Sequence, residues 1–429
     1  MNGSSAALVG AALVMAGIHA ASAQEPAVQI YGTLNVDFEN VRARDASPAA
    51  ALPAGQLGAN PTGVNVGSRN RVTQNSANLG FRGSESLGGD LSAFFQIESA
   101  VAVDVGGSAL ASRNTAVGLQ GGFGSIRIGQ WDTPYKTLSG AVDPMYFTGI
   151  TYTGALIGTP GFGVGPVTSG VLNTSANGST YANAINASFE RRQGNVVQYW
   201  TPTIDGLTFK LAYAANESRS ANSSAVTQVN PRVLSLSVDY EIGPVFVGYA
   251  HERHDDLFGL SAIIPAAQAA PVAAIGGSPS LSATDSGDKV AVRYKIADTQ
   301  LGLLWEKLKY EQSSSTAANG AFNEYDRTAI AITLMQKIGR GTIRGIYGRA
   351  LAGSCGRVGG GACDTGGLGA RQYSLGYSYT FSKRTDLYWF YTRVTNDARG
   401  SYQFANSAGL GAAPGSANIG YISGIRHTF

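Results

Sequence analysis

Residues 372–381 read Gln-Tyr-Ser-Leu-Gly-Tyr-Ser-Tyr-Thr-Phe. Tyr373, Leu375, Tyr377, Tyr379 and Phe381 fall on one face of a period-2 strand, and Gln372, Ser374, Gly376, Ser378 and Thr380 on the other. One face is apolar and aromatic, the other small and polar. A tight turn follows at Ser382-Lys383-Arg384, and a second alternating run starts at Thr385. The same unit recurs from Val28 to the end of the chain. Val290, Val292, Tyr294 and Ile296 oppose Lys289, Ala291, Arg293 and Lys295, and Ile419, Tyr421, Ile425 and Phe429 share a face opposite Gly420, Gly424 and Arg426.

About sixteen such segments are legible, with starts near Val28, Val72, Asp90, Arg113, Ser125, Asn195, Leu207, Arg232, Val245, Asp288, Thr299, Tyr325, Thr342, Arg371, Thr385 and Asn418. Short turns such as Glu241-Ile-Gly-Pro244 and Ile338-Gly-Arg-Gly341 alternate with long polar loops, notably near residues 39–71, 252–287 and 395–417. In an up-and-down barrel that alternation puts every long loop on one side, as in outer-membrane barrels. Phe81, Tyr199, Tyr240, Tyr294, Tyr379 and Phe381 precede short turns, while Tyr213, Tyr249 and Tyr391 lie near long-loop ends. Two aromatic rings on the apolar face are what the two lipid–water boundaries require. Nothing in the mature chain is apolar for long enough to cross as a helix, so a membrane reading demands a closed barrel. The expected fold is all-β: a sixteen-stranded antiparallel transmembrane β-barrel with short periplasmic turns and long extracellular loops. A barrel that wide is not filled by its own side chains and leaves an aqueous channel.

Residues 1–23 read as a signal peptide, with a small apolar run from Ala6 to Ala20 and an Ala21-Ser-Ala23 cleavage site. Its n-region carries no Lys or Arg, which departs from the usual pattern. The expected barrel domain is then 24–429. With 57 Gly, 20 Tyr, 14% charged residues and a net charge of +3, the chain offers no basic stripe for nucleic acid. Cys355 and Cys363 stand eight apart; they read as a disulfide across a Gly-rich loop, with two free thiols as the alternative.

Four segments carry a resemblance: Val28-Gln-Ile-Tyr-Gly-Thr-Leu34, Ala77-Asn-Leu-Gly-Phe-Arg-Gly-Ser-Glu-Ser-Leu-Gly-Gly-Asp-Leu91, Ala116-Val-Gly-Leu-Gln-Gly-Gly-Phe-Gly-Ser-Ile-Arg-Ile-Gly129, and Gly424-Ile-Arg-His-Thr-Phe429. They resemble the general diffusion porins of Gram-negative outer membranes, in the form common in β-proteobacteria. The resemblance implies a homotrimer in outer-membrane lipid and lipopolysaccharide, each barrel passing small hydrophilic solutes and ions. It also implies that the third long loop, here 131–192, folds inward as a constriction. In the family, acidic groups of that loop face arginines on the wall.

This chain departs from the pattern: Asn78 and Gln130 stand where the family carries arginine. By alternation Arg82, Arg127, Lys210, Arg293, Lys295, Arg344 and Arg426 face inward, opposed by Asp37, Glu98, Asp239 and Glu306, while the loop offers Asp132, Lys136 and Asp143. A weakly charged constriction with at most mild anion preference is expected, lined in part by Tyr135, Tyr146, Phe147, Tyr152 and Phe162. Phe429 is expected to close the barrel as an outward interfacial residue.

A substrate-specific channel of the same fold, or an outer-membrane hydrolase, are the alternatives. For the hydrolase there is no G-x-S-x-G elbow and no base placed for a serine. His251 and His254 sit in H-x-x-H, which is not the helical zinc-protease spacing, and no cofactor or metal site emerges.

Overall fold

β-Branched and aromatic residues alternating with small polar ones pack well on a pleated surface and badly on a helix. The computed structural model follows that pattern nearly throughout. It describes residues 28–161, 187–215, 229–265, 268–269, 281–314, 317–404, 410–411 and 413–429, so the expected signal peptide and Phe162 lie outside the described residues. The first half gives β1 (Gln29–Arg44), β2 (Val66–Gln74), β3 (Asn78–Gly88), β4 (Leu91–Ala100), β5 (Thr115–Gly121), β6 (Gly124–Asp132), β7 (Arg192–Trp200), β8 (Leu207–Ala214) and β9 (Arg232–Ile242). The second gives β10 (Val245–Asp255), β11 (Leu281–Ile296), β12 (Thr299–Ser314), β13 (Phe322–Ile338), β14 (Gly341–Ala350), β15 (Ser354–Arg357), β16 (Ala370–Ser382), β17 (Thr385–Asn396) and β18 (Ala417–Thr428).

All pairings between these strands are antiparallel, and β18 returns to β1 along Thr33↔Thr428 to Arg44↔Ala417. β2 and β3 are two halves of one stave, since β1 pairs with β3 over Gln29–Thr33 and with β2 over Val36–Ala43. β15 pairs only with the loop-side extension of β13. The result is a closed barrel of sixteen antiparallel staves. The two-residue turns Gly243-Pro244 and Gly339-Arg340 open on glycines with φ of 55° and 59°, which the twist of a tight hairpin favours.

The outer surface is apolar, with Phe38, Ile128, Val247, Leu303, Ile332, Leu375 and Ile425 exposed. Tyr240, Tyr294 and Phe381 ring the short-turn end, and Tyr213, Tyr249, Tyr347 and Tyr373 the long-loop end. Phe429 sits beside Gly32: its N–H donates to the Gly32 carbonyl at 3.0 Å, and its ring covers the bare Gly32 Cα, where a Cβ would stand 2.5 Å from Cζ.

Several staves run beyond the apolar alternation. β1 extends to Arg44 and β2 begins at Val66; β10 reaches Asp255 and β11 starts at Leu281. The long loops are therefore shorter than the sequence pattern indicates, because a neighbouring strand satisfies the backbone beyond the membrane whatever the side chains are. Another loop, 351–369, carries β15 and the bonded pair Cys355–Cys363, with Cα atoms 5.9 Å apart.

Candidate functional site

The loop after β6 turns into the barrel. Thr133 caps α1 (Pro134–Val142), its hydroxyl accepting from the Lys136 N–H at 3.4 Å, and Pro134 occupies the first turn where no N–H is needed. Tyr135, Leu138, Ser139 and Val142 form the buried face of the helix, which lies against β9 to β12. Wall side chains hold its end: Arg293 donates to the Ala141 carbonyl at 2.8 Å, and Thr333 to that of Val142 at 3.0 Å.

Asp143 ends the helix and organises the next ten residues. Its carboxylate accepts from the Met145 N–H at 2.7 Å and the Thr153 N–H at 2.6 Å, folding 143–153 into a compact knuckle. Burial pushes the Asp143 carboxyl up to about 6 against these two donors. The knuckle then reaches the far wall. Asn35 donates to the Phe147 carbonyl at 2.7 Å, and Gln372 to the carbonyls of Thr151 and Tyr152, each at 3.0 Å.

A buried ionic cluster pins the returning limb. Lys289 lies 2.5 Å from Glu190 and 3.7 Å from Glu306; Arg327 lies 3.0 Å from Glu306 and donates to the Thr159 carbonyl. Tyr135 Oη donates to Glu306 at 2.7 Å, and the Gly158 N–H donates to the same carboxylate. Lys289, Glu306 and Arg327 have no solvent exposure. Glu306 is thus a loop anchor and not the lumen acid that alternation indicates, because the loop covers it.

The loop leans on the barrel from β9 round to β1, and two cavities flank it. One, of about 380 Å³, lies between Asp143, Pro144, Tyr146 and Phe147 of the loop and Asn35, Asn75, Asn78, Arg113 and Arg426 of the wall. The other, of about 450 Å³, lies between Thr137 and Ala141 of α1 and Lys210, Asp239, Glu241 and Phe246. The first adjoins a break in the wall, where Ser76 takes a φ of 54° between β2 and β3 and Asn75 donates to Asp37 at 2.6 Å. Wall irregularities often mark such places.

Of the residues expected to face the channel, Asn78, Asp143 and Arg426 meet at the first cavity. Arg344 and Arg426 both stack on Phe147, with guanidinium carbons 5.4 and 5.3 Å from its ring centre. Gln130 does not line this cavity. A bulge at Gly129 shifts the register, and Gln130 donates to the carbonyls of Arg113 at 3.1 Å and Ala111 at 3.4 Å. It thereby holds Arg113, a cation not among those that alternation assigns to the lumen; the strand expected to start near Arg113 begins at Thr115, so Arg113 lies just before β5. Arg113 is 2.5 Å from Glu98. Asp132, Lys136 and Arg192 form an ion-paired root for the loop, with Asp132 2.9 Å from Lys136 and 3.1 Å from Arg192. Arg127 is packed between Trp200 and Trp131, at 3.9 and 4.7 Å from their ring centres, and Lys210 also sits over Trp200, at 4.9 Å. Arg293 pairs with Glu241 below α1, while Arg82 and Lys295 are exposed toward the short-turn end.

His251 and His254 cannot share a ligand. On β10 they point to opposite faces: His251 is 2.9 Å from Asp288 on the outer face, and His254 is 2.9 Å from Glu252 and stacks on Phe189 within.

Comparison with known proteins agrees with this architecture. A family profile described as Gram-negative porin matches residues 4–399. Major outer membrane protein P.IB of Neisseria meningitidis serogroup B is 21% identical over 398 residues, covering 89% of this chain and 92% of that protein. Outer membrane porin protein 32 of Delftia acidovorans is 26% identical over 366 residues, covering 82% and 85%. Among solved structures, an anion-selective porin from Comamonas acidovorans superposes with a TM-score of 0.66 at 20% identity, over 94% of this chain and all of that one. OmpT of Vibrio cholerae does so with a TM-score of 0.57 at 15% identity, over 95% and 98%. The chain belongs to the Gram-negative porin family and is an outer-membrane diffusion channel for small hydrophilic solutes.

Proposed function

We propose that the narrowest part of this channel is the gap between the 143–147 knuckle and the β1–β3 and β18 wall, and that it passes anions slightly better than cations. The observation that carries this reading is the charge census at that gap. Arg426 makes no ion pair among the described residues, Arg113 shares its charge with Glu98, and the loop opposes them with the single carboxylate of Asp143. Fixed charge acts most strongly where the passage is narrow, because wider water screens it within roughly 8–10 Å. The anion selectivity named for the Comamonas acidovorans porin fits the same sign. A reversal potential measured across a planar bilayer under a KCl gradient tests it. The expected value is mildly anion-selective; a strongly cation-selective one overturns the reading.

Asp143 makes the preference pH-dependent. Its carboxyl is pushed up to about 6, so lowering the pH from about 7.5 to about 5 removes the loop carboxylate that lines the gap and opposes anions there. Anion preference rises on acidification, and Asp143→Asn flattens the profile at its acid limit. The linkage runs the same way for the knuckle: a raised carboxyl stabilises it fully below the ordinary value of 3.8, and that contribution is lost as pH rises through about 6. An unchanged pH profile in Asp143→Asn assigns the titration elsewhere.

A second reading, a substrate-specific channel, draws on the stacked Arg127, Trp200 and Lys210 ladder along the lumen wall. Such a ladder offers both a cation and an aromatic face to an aromatic carboxylate. Liposome swelling decides between them: a general pore ranks benzoate and an aliphatic acid by size alone, whereas the ladder favours benzoate.

Assembly as a homotrimer in lipopolysaccharide-containing membrane fits this reading, and OmpT of Vibrio cholerae has a structure described as a trimer form. Phe429 is assigned the closing interfacial position. Phe429→Asp puts a carboxylate on the lipid face beside Gly32, so folded, heat-resistant protein falls while the conductance of the surviving channels stays the same. Normal insertion of that variant removes the role.

A further inference from the structure

Three surface loops join consecutive staves from β14 round to β2: 351–369 between β14 and β16, 397–416 between β17 and β18, and 45–65 between β1 and β2. Their described residues are stitched to one another. The Asp364 N–H donates to the Gly55 carbonyl at 2.8 Å, and its own carbonyl accepts from the Leu57 N–H at 3.0 Å. Arg399 joins all three loops. It lies 3.2 Å from the Asp364 carboxylate, donates to the Gly366 carbonyl at 2.5 Å, and reaches the Leu57 carbonyl at 3.4 Å.

The residues after Arg399 rest on the inward loop. The Ser401 N–H donates to the Gly161 carbonyl at 3.2 Å. The buried Tyr402 ring covers the bare Gly161 Cα so closely that a Cβ there would overlap it. Phe404 meets Ile150 of the inward loop over Gly420. A single apolar cluster therefore runs from Leu138 and Leu156 inside the barrel, through Tyr402 and Phe404, to Leu57 and Leu368 under the surface loops.

The bonded pair Cys355–Cys363 stands at the outer end of this chain of contacts. Cys355 is on β15, opposite Tyr325 of β13, and Cys363 immediately precedes Asp364. The bond therefore fastens Asp364, where the loops meet, to the barrel wall. Both cysteines pack against the edge of the apolar cluster, while residues 359–362 between them are exposed, so a small reductant has access.

We propose that this disulfide is a latch on the constriction: it holds the surface loops against the inward loop, and its reduction by an external thiol loosens residues 150–161 and widens the gap. A dithiol supplies two electrons and two protons. The Sγ–Sγ bond breaks, Cys355 and Cys363 become thiols, and the reductant closes to its own disulfide. No other covalent change follows, because the chain has only these two cysteines. Arg357 keeps the freed hairpin folded, donating to the Gly320 carbonyl at 2.6 Å and the Ala362 carbonyl at 3.1 Å. The response is thus undocking of the loops and not their local unfolding. The latch goes beyond the diffusion-channel reading and is independent of the pore's ion preference.

The test uses oxidised channels already inserted in a planar bilayer, so folding is not at issue, and then exposes them to dithiothreitol. Alkylation and mass spectrometry count the thiols on a parallel sample. A crosslink over so short a ring shifts the docked-to-undocked ratio by up to on the order of a hundredfold, so time spent at a higher conductance should rise at least about tenfold. Reoxidation with a soluble disulfide should reverse it. R399M cuts the same chain one link further in. It should show these openings without reductant and gain little more from it, since two cuts in one chain do not add. Hydrogen exchange on the detergent-solubilised protein should speed in 396–404 and 150–161 together on reduction. Quiet wild-type traces with both thiols alkylated overturn the proposal, as does faster exchange confined to 355–363. So does a full response to reductant in R399M. The reversal potential is read on the same oxidised channels: a strongly cation-selective value with intact thiol sensitivity overturns the selectivity reading and leaves the latch standing.

Discussion

Lys289→Met should loosen the inward loop and raise both the single-channel conductance and its noise. The lysine is fully buried, 2.5 Å from Glu190 and 3.7 Å from Glu306, and no water can replace it. Removing one partner of a buried pair leaves an uncompensated charge, at a cost of about 3–5 kcal/mol. Burial already pushes the Glu190 carboxyl up, and Lys289 is the main group opposing that. Without it, the returning limb either takes up a proton or leaves the wall. Barrel closure is unaffected, because the stave hydrogen bonds do not involve the cluster. The companion variant Lys289→Met/Glu190→Gln removes both charges and should recover much of the loss, as replacement of a whole buried pair often does. Wild-type conductance and quiet traces in the single variant show that the loop is held by other contacts.

Arg113→Glu together with Arg426→Glu should turn the channel from mild anion preference to clear cation preference. The two substitutions change four units of charge around a gap whose only loop carboxylate is Asp143. Each unit contributes about 1 kcal/mol at about 4 Å even in bulk water, so a change in permeability ratio of tenfold or more is expected at low salt. The effect shrinks as salt rises and the field is screened. Arg82→Glu, at the exposed short-turn end, serves as the control and should shift the reversal potential little. If it shifts the potential as far as the double variant does, the narrowest point lies nearer the short turns than the 143–147 knuckle.

How far the lumen can be read in advance depends on what sets each side chain's direction. Arg344 and Arg426 sit inside regular strands, where period 2 alone assigns a face, and both point inward onto Phe147. Arg113 and Gln130 flank a turn and a bulge, where the period is interrupted. Alternation therefore passes over the first; the second, given a wall position by the resemblance, does lie in β6 opposite Thr115 but turns its amide to the Arg113 carbonyl and does not line the gap. Glu306 shows a different failure. Alternation turns it inward correctly, but inward means lumen only until something covers it, and 148 residues separate it from the Gly158 N–H that does so.

The alternating pattern by itself determined the antiparallel staves, their hairpins, the lipid-facing surface and the side on which the long loops lie. Those follow from interactions within a strand or between sequence neighbours, which leave a period in the chain. The tertiary structure alone decided where the inward loop rests, which charges it buries and which remain at the gap. These depend on contacts between residues far apart in the chain, such as Glu306 with the Gly158 N–H and Gln372 with the Thr151 carbonyl. Such contacts leave no local periodicity, so a one-dimensional pattern carries no trace of them.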